Sequence, residues 1–76
     1  MPHMPTVTHT ARVTGPIHYV GHNGRDDTIP VGPCLVEQLG GQFVDIVWGQ
    51  AGEESAVLPM KEVETAELAG NLVLLD

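Results

Sequence analysis

The chain is 76 residues long, and ten acidic side chains against three basic ones give it a formal net charge of −7. A chain this short predicts a single small domain. Nucleic acids and anionic membranes are bound largely through lysine and arginine, so the acidic excess argues against direct binding to DNA, RNA or a membrane surface. The partner that this charge favours is a basic protein.

The cysteine content and the first residues indicate the cellular setting. The only cysteine, Cys34, excludes an internal disulfide and fits a reducing compartment. No apolar run reaches the roughly 20 residues that span a bilayer, and no basic-then-apolar leader opens the sequence, so we expect a cytoplasmic protein. His3-Met4 matches what a common cloning site encodes, which makes Met4 a candidate native start. We expect residues 1–10 to be a flexible segment and residues 11–76 one domain.

The first half of the chain predicts short strands joined by turns. A strand over 11–20 is interrupted at Gly15-Pro16, because proline cannot donate to a β-ladder. A loop follows over 21–27, where Asn23-Gly24 suits a tight turn. Residues 28–33 are expected to be extended, because residues that precede proline avoid the helical region.

The clearest predicted element is a β-hairpin over 34–48 that turns at Gly40-Gly41. Side chains of a strand alternate between its faces, and the even positions here are nearly all apolar, so we expect them to face the core. The even positions of both hairpin strands point to the same face if Gln38 lies opposite Gln42 or Val44. We favour the pairing of Gln38 with Gln42, which results from a three-residue loop with a left-handed glycine. The expected core positions are Cys34, Val36, Val44, Ile46 and Trp48.

The odd positions of this hairpin form an outer face with more apolar surface than a solvated sheet usually shows. The apolar side chains surround two carboxylates, Glu37 and Asp45. A covering segment, a strongly curved barrel or a subunit interface would each account for this surface. The apolar residues of the predicted outer face are Leu35, Leu39, Phe43 and Val47.

The last third of the chain predicts a strand, a helix and a second strand. Residues 55–58 form the first strand, and Pro59 suits the first turn of a helix. Residues 60–69 are rich in helix formers, Gly70-Asn71 is a stop signal, and 71–75 is a final apolar strand. The expected buried edge of the helix is Met60, Val63 and Ala66.

Five to six short strands around a central hairpin indicate a mostly β fold, a small partly open barrel with one short helix near the C-terminus. The Gly40-Gly41 hairpin that ends at Trp48, and the passage from strand to helix at Leu58-Pro59, resemble an SH3-like barrel over roughly 29–63. Such a resemblance implies a fold that serves many functions. The sequence lacks the N-terminal aromatic motif of signalling SH3 domains, so binding of Pro-rich peptides is not implied.

No residue set predicts a metal site, a cofactor or a reactive thiol. The nearest metal arrangement is His22 with Asp26 or Asp27, which matches known ligand spacing poorly, so we interpret the histidines as surface side chains. Cys34, on the expected core face, is interpreted as an inert apolar residue. The four histidines all lie in the first third of the chain: His3, His9, His18 and His22.

Two further features have a functional and a structural interpretation. Glu37 with Asp45 is the best candidate for a pair of catalytic carboxylates, but such a pair needs a cleft, so we favour solvated charges that keep the outer face soluble. Trp48 either lines a partner groove or fills the core, and we favour the core.

The favoured function is a non-enzymatic interaction module that binds a protein partner, or a second copy of itself, through the outer face. An acidic rim is expected at Glu37, Asp45, Glu53 and Glu54. Two alternatives stay open: a subunit of a small oligomeric enzyme with its active site between chains, and an acidic nucleic-acid mimic that inhibits a DNA-binding protein. The predicted interface residues are Leu35, Leu39, Phe43, Val47, Trp48, Glu37 and Asp45.

Overall fold

The computed structural model describes residues 7–21, 24–38 and 40–75. They form a mostly β fold with one short helix near the C-terminus, as the sequence predicts. Within these ranges seven strands are found, where five to six were expected. The elements are β1 (Val7–Val13), β2 (Ile17–Val20), β3 (Asp26–Ile29), β4 (Gly32–Gln38), β5 (Phe43–Trp48), β6 (Glu54–Pro59), α1 (Met60–Leu68) and β7 (Leu72–Leu74).

The strands form two antiparallel sheets that do not close into a complete barrel. Five strands lie in the order β6-β5-β4-β1-β7, and β2 pairs with β3 in a separate hairpin. Among the described strands, β6 and β7 are therefore the edges of the larger sheet. β1 begins at Val7, opposite Gln38, so residues 7–10 of the segment expected to be flexible lie in this sheet. Residues 1–6 lie outside the described ranges.

β4 and β5 form the predicted hairpin, and its even positions face the core as expected. The favoured pairing of Gln38 with Gln42 is wrong, because Gln38 lies opposite Val44. Gly40 and Gly41 both have positive φ angles, 85° and 71°, and these allow the longer connection to reverse the chain. The two pairings differ by two residues, which leaves every side chain on its predicted face. The buried even positions are Cys34, Val36, Val44 and Ile46, and Trp48 is half-buried.

The bend between β1 and β2 is tied to the end of the helix. The Thr14 N–H donates to the carbonyl of Asn71 at 2.8 Å, and Nδ2 of Asn71 donates to the carbonyl of Pro16 at 3.2 Å. A Cβ on Gly15 would overlap the Asn71 side chain. The predicted break at Gly15-Pro16 is thus also the place where the first strand packs against the helix terminus.

α1 begins at the predicted residue, Met60, and ends at Leu68, one residue before the predicted end. The Met60 N–H donates to the carbonyl of Gln42 at 2.7 Å, which fixes the start of the helix against the hairpin connection. At the other end, Gly70 has a φ of 80°, and the Asn71 N–H donates to the carbonyl of Ala66 at 2.9 Å, in a Schellman arrangement. No helix in the described part of the chain is long and apolar enough to cross a bilayer.

The core lies between the inner face of the five-stranded sheet, α1 and the β2–β3 hairpin. Val63 and Ala66 of α1 are buried and Met60 packs against the core, as the helix pattern predicts. The inner face is filled because most of the alternate positions that point to it are apolar, and the residues between them point outward. The buried side chains of the sheets are Ala11, Val13, Ile17, Ile29, Cys34, Val36, Val44, Ile46, Ala56, Leu58 and Leu72.

Candidate interaction surface

An apolar pair occupies the middle of the outer face of the five-stranded sheet. Leu35 of β4 lies directly opposite Val47 of β5, with Thr10 of β1 and Ser55 of β6 at the same level of the neighbouring strands. Leu35 is 39% exposed and Val47 is half-buried. Because the even positions of both strands fill the core, the pleat directs this pair outward. The structure thus places the two predicted residues side by side.

The loop between β5 and β6 forms one wall of a groove over this pair. Oε2 of Glu53 accepts a hydrogen bond from the Ala51 N–H at 2.9 Å and holds the loop. A Cβ on Gly52 would lie 3.5 Å from Cγ1 of Val47, so the loop backbone packs closely against the sheet. The result is an open groove of about 560 Å³. Most of its lining is apolar, with Pro33, Leu35, Val47, Ala51 and Leu75 among the contributing residues.

The apolar surface continues toward the other end of β5. Phe43 lies opposite Pro59 of β6 and is 53% exposed. Val57 of β6 lies opposite Asp45 and is exposed. Val57 and Leu75 extend the surface beyond the hairpin; they are absent from the predicted interface because only the pairing of distant strands brings them beside it. The predicted interface residue Leu39 lies outside the described residues.

Two carboxylates lie beside the apolar pair. Glu37 and Asp45 share the outer face, as the alternation predicts, and the observed register places them directly opposite each other on β4 and β5, where the favoured pairing would have placed Glu37 opposite Phe43. Asp45 is half-buried, and its Oδ1 is buried without a hydrogen-bond donor among the described residues. Burial raises the pKa of Asp45, and the charge of Glu37 raises it further. The surface therefore holds a carboxylate whose ionised form is poorly stabilised.

Trp48 joins the core to the groove. Its ring meets the Tyr19 ring edge-on, with 5.9 Å between centroids and 67° between planes. It packs against the core cluster, in agreement with the favoured interpretation. The half-buried ring also lines the groove and an adjoining hollow of about 300 Å³ beside Pro30 and Val31. The structural and the functional interpretation of Trp48 are thus compatible.

The remaining candidate chemistry is dispersed over the described part of the chain. Cys34 is a buried free thiol whose pKa is raised by burial. His9 lies in β1 and His18 in β2, on separate sheets, whereas His3 and His22 lie outside the described ranges. Among the described residues, no three histidine, cysteine, aspartate or glutamate side chains are placed to hold a metal ion.

Comparisons with protein-family models, with curated proteins and with solved structures found no match. The function is therefore inferred from the surface of this chain alone.

Proposed function

We propose that the protein is a non-enzymatic interaction module that binds a protein partner through the outer face of its five-stranded sheet. The observation that carries this proposal is the open apolar groove over Leu35 and Val47. Exposed apolar surface that is contiguous and bordered by polar groups is typical of sites where proteins meet. Trp48 and Phe43 add aromatic surface, which contributes strongly to binding at protein interfaces.

The chemistry of the face favours a partner that presents an apolar side chain next to a lysine or arginine. An apolar side chain fits the groove, and a cation beside it reaches the Glu37–Asp45 pair. Burial and the charge of Glu37 raise the pKa of Asp45, so a cation placed beside the Glu37–Asp45 pair offsets part of the repulsion between the two carboxylates. The net charge of −7 attracts a basic partner over a longer range.

A second copy of this chain is a less suitable occupant than a basic protein. A symmetric dimer through this face places both carboxylate pairs in one desolvated interface, because the same patch is used by both copies. Like charges brought together in such an interface are costly. Self-association is therefore the alternative outcome of the test below.

Two finer expectations accompany the proposal. An SH3-like arrangement is supported by the order of elements: a five-stranded antiparallel sheet, a hairpin inserted between β1 and β4, and a helix before the last strand. A cytoplasmic location is supported by the buried free thiol of Cys34, which fits a reducing compartment.

The test compares three baits in the lysate of the source organism: wild type, Leu35→Glu and Leu68→Glu. Both variants replace a leucine by glutamate, but Leu68 is 91% exposed at the end of α1 and lies away from the groove. We expect one set of proteins to be retained by wild type and by Leu68→Glu and to be lost with Leu35→Glu. Circular dichroism of each bait verifies that it is folded.

The other outcomes are equally informative. Retention that is the same for all three baits contradicts a role for the groove. If only the bait is recovered, and sedimentation shows that wild type is a dimer and Leu35→Glu a monomer, the face binds a second copy of the chain and not a basic partner. A monomer that retains nothing refutes the proposal.

A further inference from the structure

Two unpaired strand edges lie on either side of a cleft that is separate from the groove. β6 pairs only with β5, and β2 pairs only with β3, so each has a free edge among the described strands. A cleft of about 470 Å³ lies between them, bordered by Tyr19 and Val20 on one side and by residues 54–57 on the other. Four consecutive residues of β6 present an edge of about 13 Å at 3.3 Å per residue.

The cleft is acidic. Asp27 of β3 and Glu54 of β6 both line it, and the described lining residues include no lysine or arginine. The Tyr19 hydroxyl donates to Oδ2 of Asp27 across a long 3.5 Å contact. Burial raises the pKa of the Tyr19 hydroxyl, and the charges of Asp27 and Glu54 raise it further. Both carboxylates therefore contribute to the negative potential at this hydroxyl. A cation in the cleft would meet both of them.

We propose that this cleft takes up a short, extended, basic segment of a partner protein as an added β-strand along the free edge of β6. A free edge carries unpaired N–H and C=O groups, which are a template for an added strand. Asp27 and Glu54 select lysine or arginine side chains by charge complementarity. This site goes beyond the proposed function, because it uses backbone hydrogen bonds on a different surface and does not depend on the apolar groove.

The test uses a synthetic peptide in which lysine and valine alternate, because alternate residues of a strand point to opposite sides. One control is the same peptide with N-methyl groups on alternate backbone nitrogens, which retains the charge and removes donors. A second control is a glutamate–valine peptide. Binding to the full chain is measured by titration of its amide NMR resonances and by calorimetry, at low and at physiological ionic strength.

We expect the lysine–valine peptide to bind, to shift the amide resonances of residues 54–57 and of Tyr19, and to protect β6 amides from exchange. The N-methylated and acidic peptides are expected not to bind. The double variant Asp27→Asn/Glu54→Gln is expected to weaken binding about tenfold, because it removes both carboxylates that line the cleft. The charge-matched control Glu64→Gln/Glu67→Gln, on exposed positions of α1, is expected to leave binding unchanged.

Three results would overturn the proposal: no binding of the lysine–valine peptide, equal binding of its N-methylated form, or shifts confined to β4 and β5 that leave residues 54–57 and Tyr19 unchanged. Leu35→Glu distinguishes this site from the proposed function. If Leu35→Glu loses its lysate partners but still binds the peptide, both sites are supported. If Asp27→Asn/Glu54→Gln loses peptide binding but keeps its lysate partners, the peptide site lies in the cleft whether or not the proposed function holds.

Discussion

Replacing Asp45 by asparagine is expected to stabilise the folded protein at neutral pH. Asp45 lies opposite Glu37, and its buried Oδ1 lacks a donor among the described residues. Asparagine has nearly the same shape and no charge, so it removes the repulsion and most of the desolvation cost. It keeps one acceptor without a donor, so the gain falls at the low end of the 1–3 kcal/mol range for such groups, about 1 kcal/mol.

The sign of the pH dependence follows from the raised pKa of Asp45, caused first by burial and then by Glu37. A carboxyl group whose pKa is higher in the folded state binds its proton more tightly there, so the native state is favoured below the ordinary value of about 3.9. This contribution is lost as the pH rises through the raised pKa. Wild type and Asp45→Asn should therefore have similar stability at a pH of about 3 and diverge toward neutral pH.

Thermal unfolding followed by circular dichroism at both pH values measures this difference. About 1 kcal/mol corresponds to a rise in Tm of roughly 4–8 °C for a domain of this size. Glu37→Gln is the matched control, because it removes the like charge but leaves Asp45 desolvated, and it should give a smaller gain. A lower Tm for Asp45→Asn at neutral pH, or a gain that is the same at both pH values, would refute the reasoning.

Three further predictions concern the core and the packing of the helix end. Ile46 is 0% exposed, so Ile46→Ala should cost about 2–5 kcal/mol in urea unfolding, and a cost under about 1 kcal/mol would place it outside the core. Cys34 should react slowly with a thiol reagent in the native protein and rapidly in urea, because it is buried and its pKa is raised; equal rates would contradict its burial. Gly15→Ala should lower the Tm, because the new Cβ displaces the Asn71 side chain. An equal penalty in an Asn71→Ala background would disprove that contact.

Local patterns were sufficient to predict the helix, the faces of the hairpin and most of the strands, although β3 begins at Asp26, inside the residues 21–27 that were expected to form a loop. The alternation through Val36 and Ile46 identified the core face, and Gly70 marked the end of α1 through its left-handed conformation. The placement of Glu37 and Asp45 on one face followed from the same alternation, whereas their direct opposition depends on the register that was predicted wrongly. These features depend on residues that are close in sequence, which is why a single sequence contains enough information to predict them.

Contacts between distant segments were not predictable in the same way. The hairpin connection accepts a hydrogen bond at the Gln42 carbonyl from the Met60 N–H, a contact made by the following helix. The groove depends on the loop packing against Val47, and the cleft lies between edges of β2 and β6 that no other described strand pairs with. Each of these is decided by tertiary packing, for which strand propensity gives no signal.

The most direct test of the outer face as a docking surface is photo-crosslinking from two positions of the same chain. A benzophenone amino acid replaces Phe43, which is 53% exposed on this face, or Leu68 on α1 as the control position. We predict that irradiation in lysate of the source organism joins a basic protein to the Phe43 position and not to the Leu68 position. The same products from both positions, or none from Phe43, would contradict the assignment of this face.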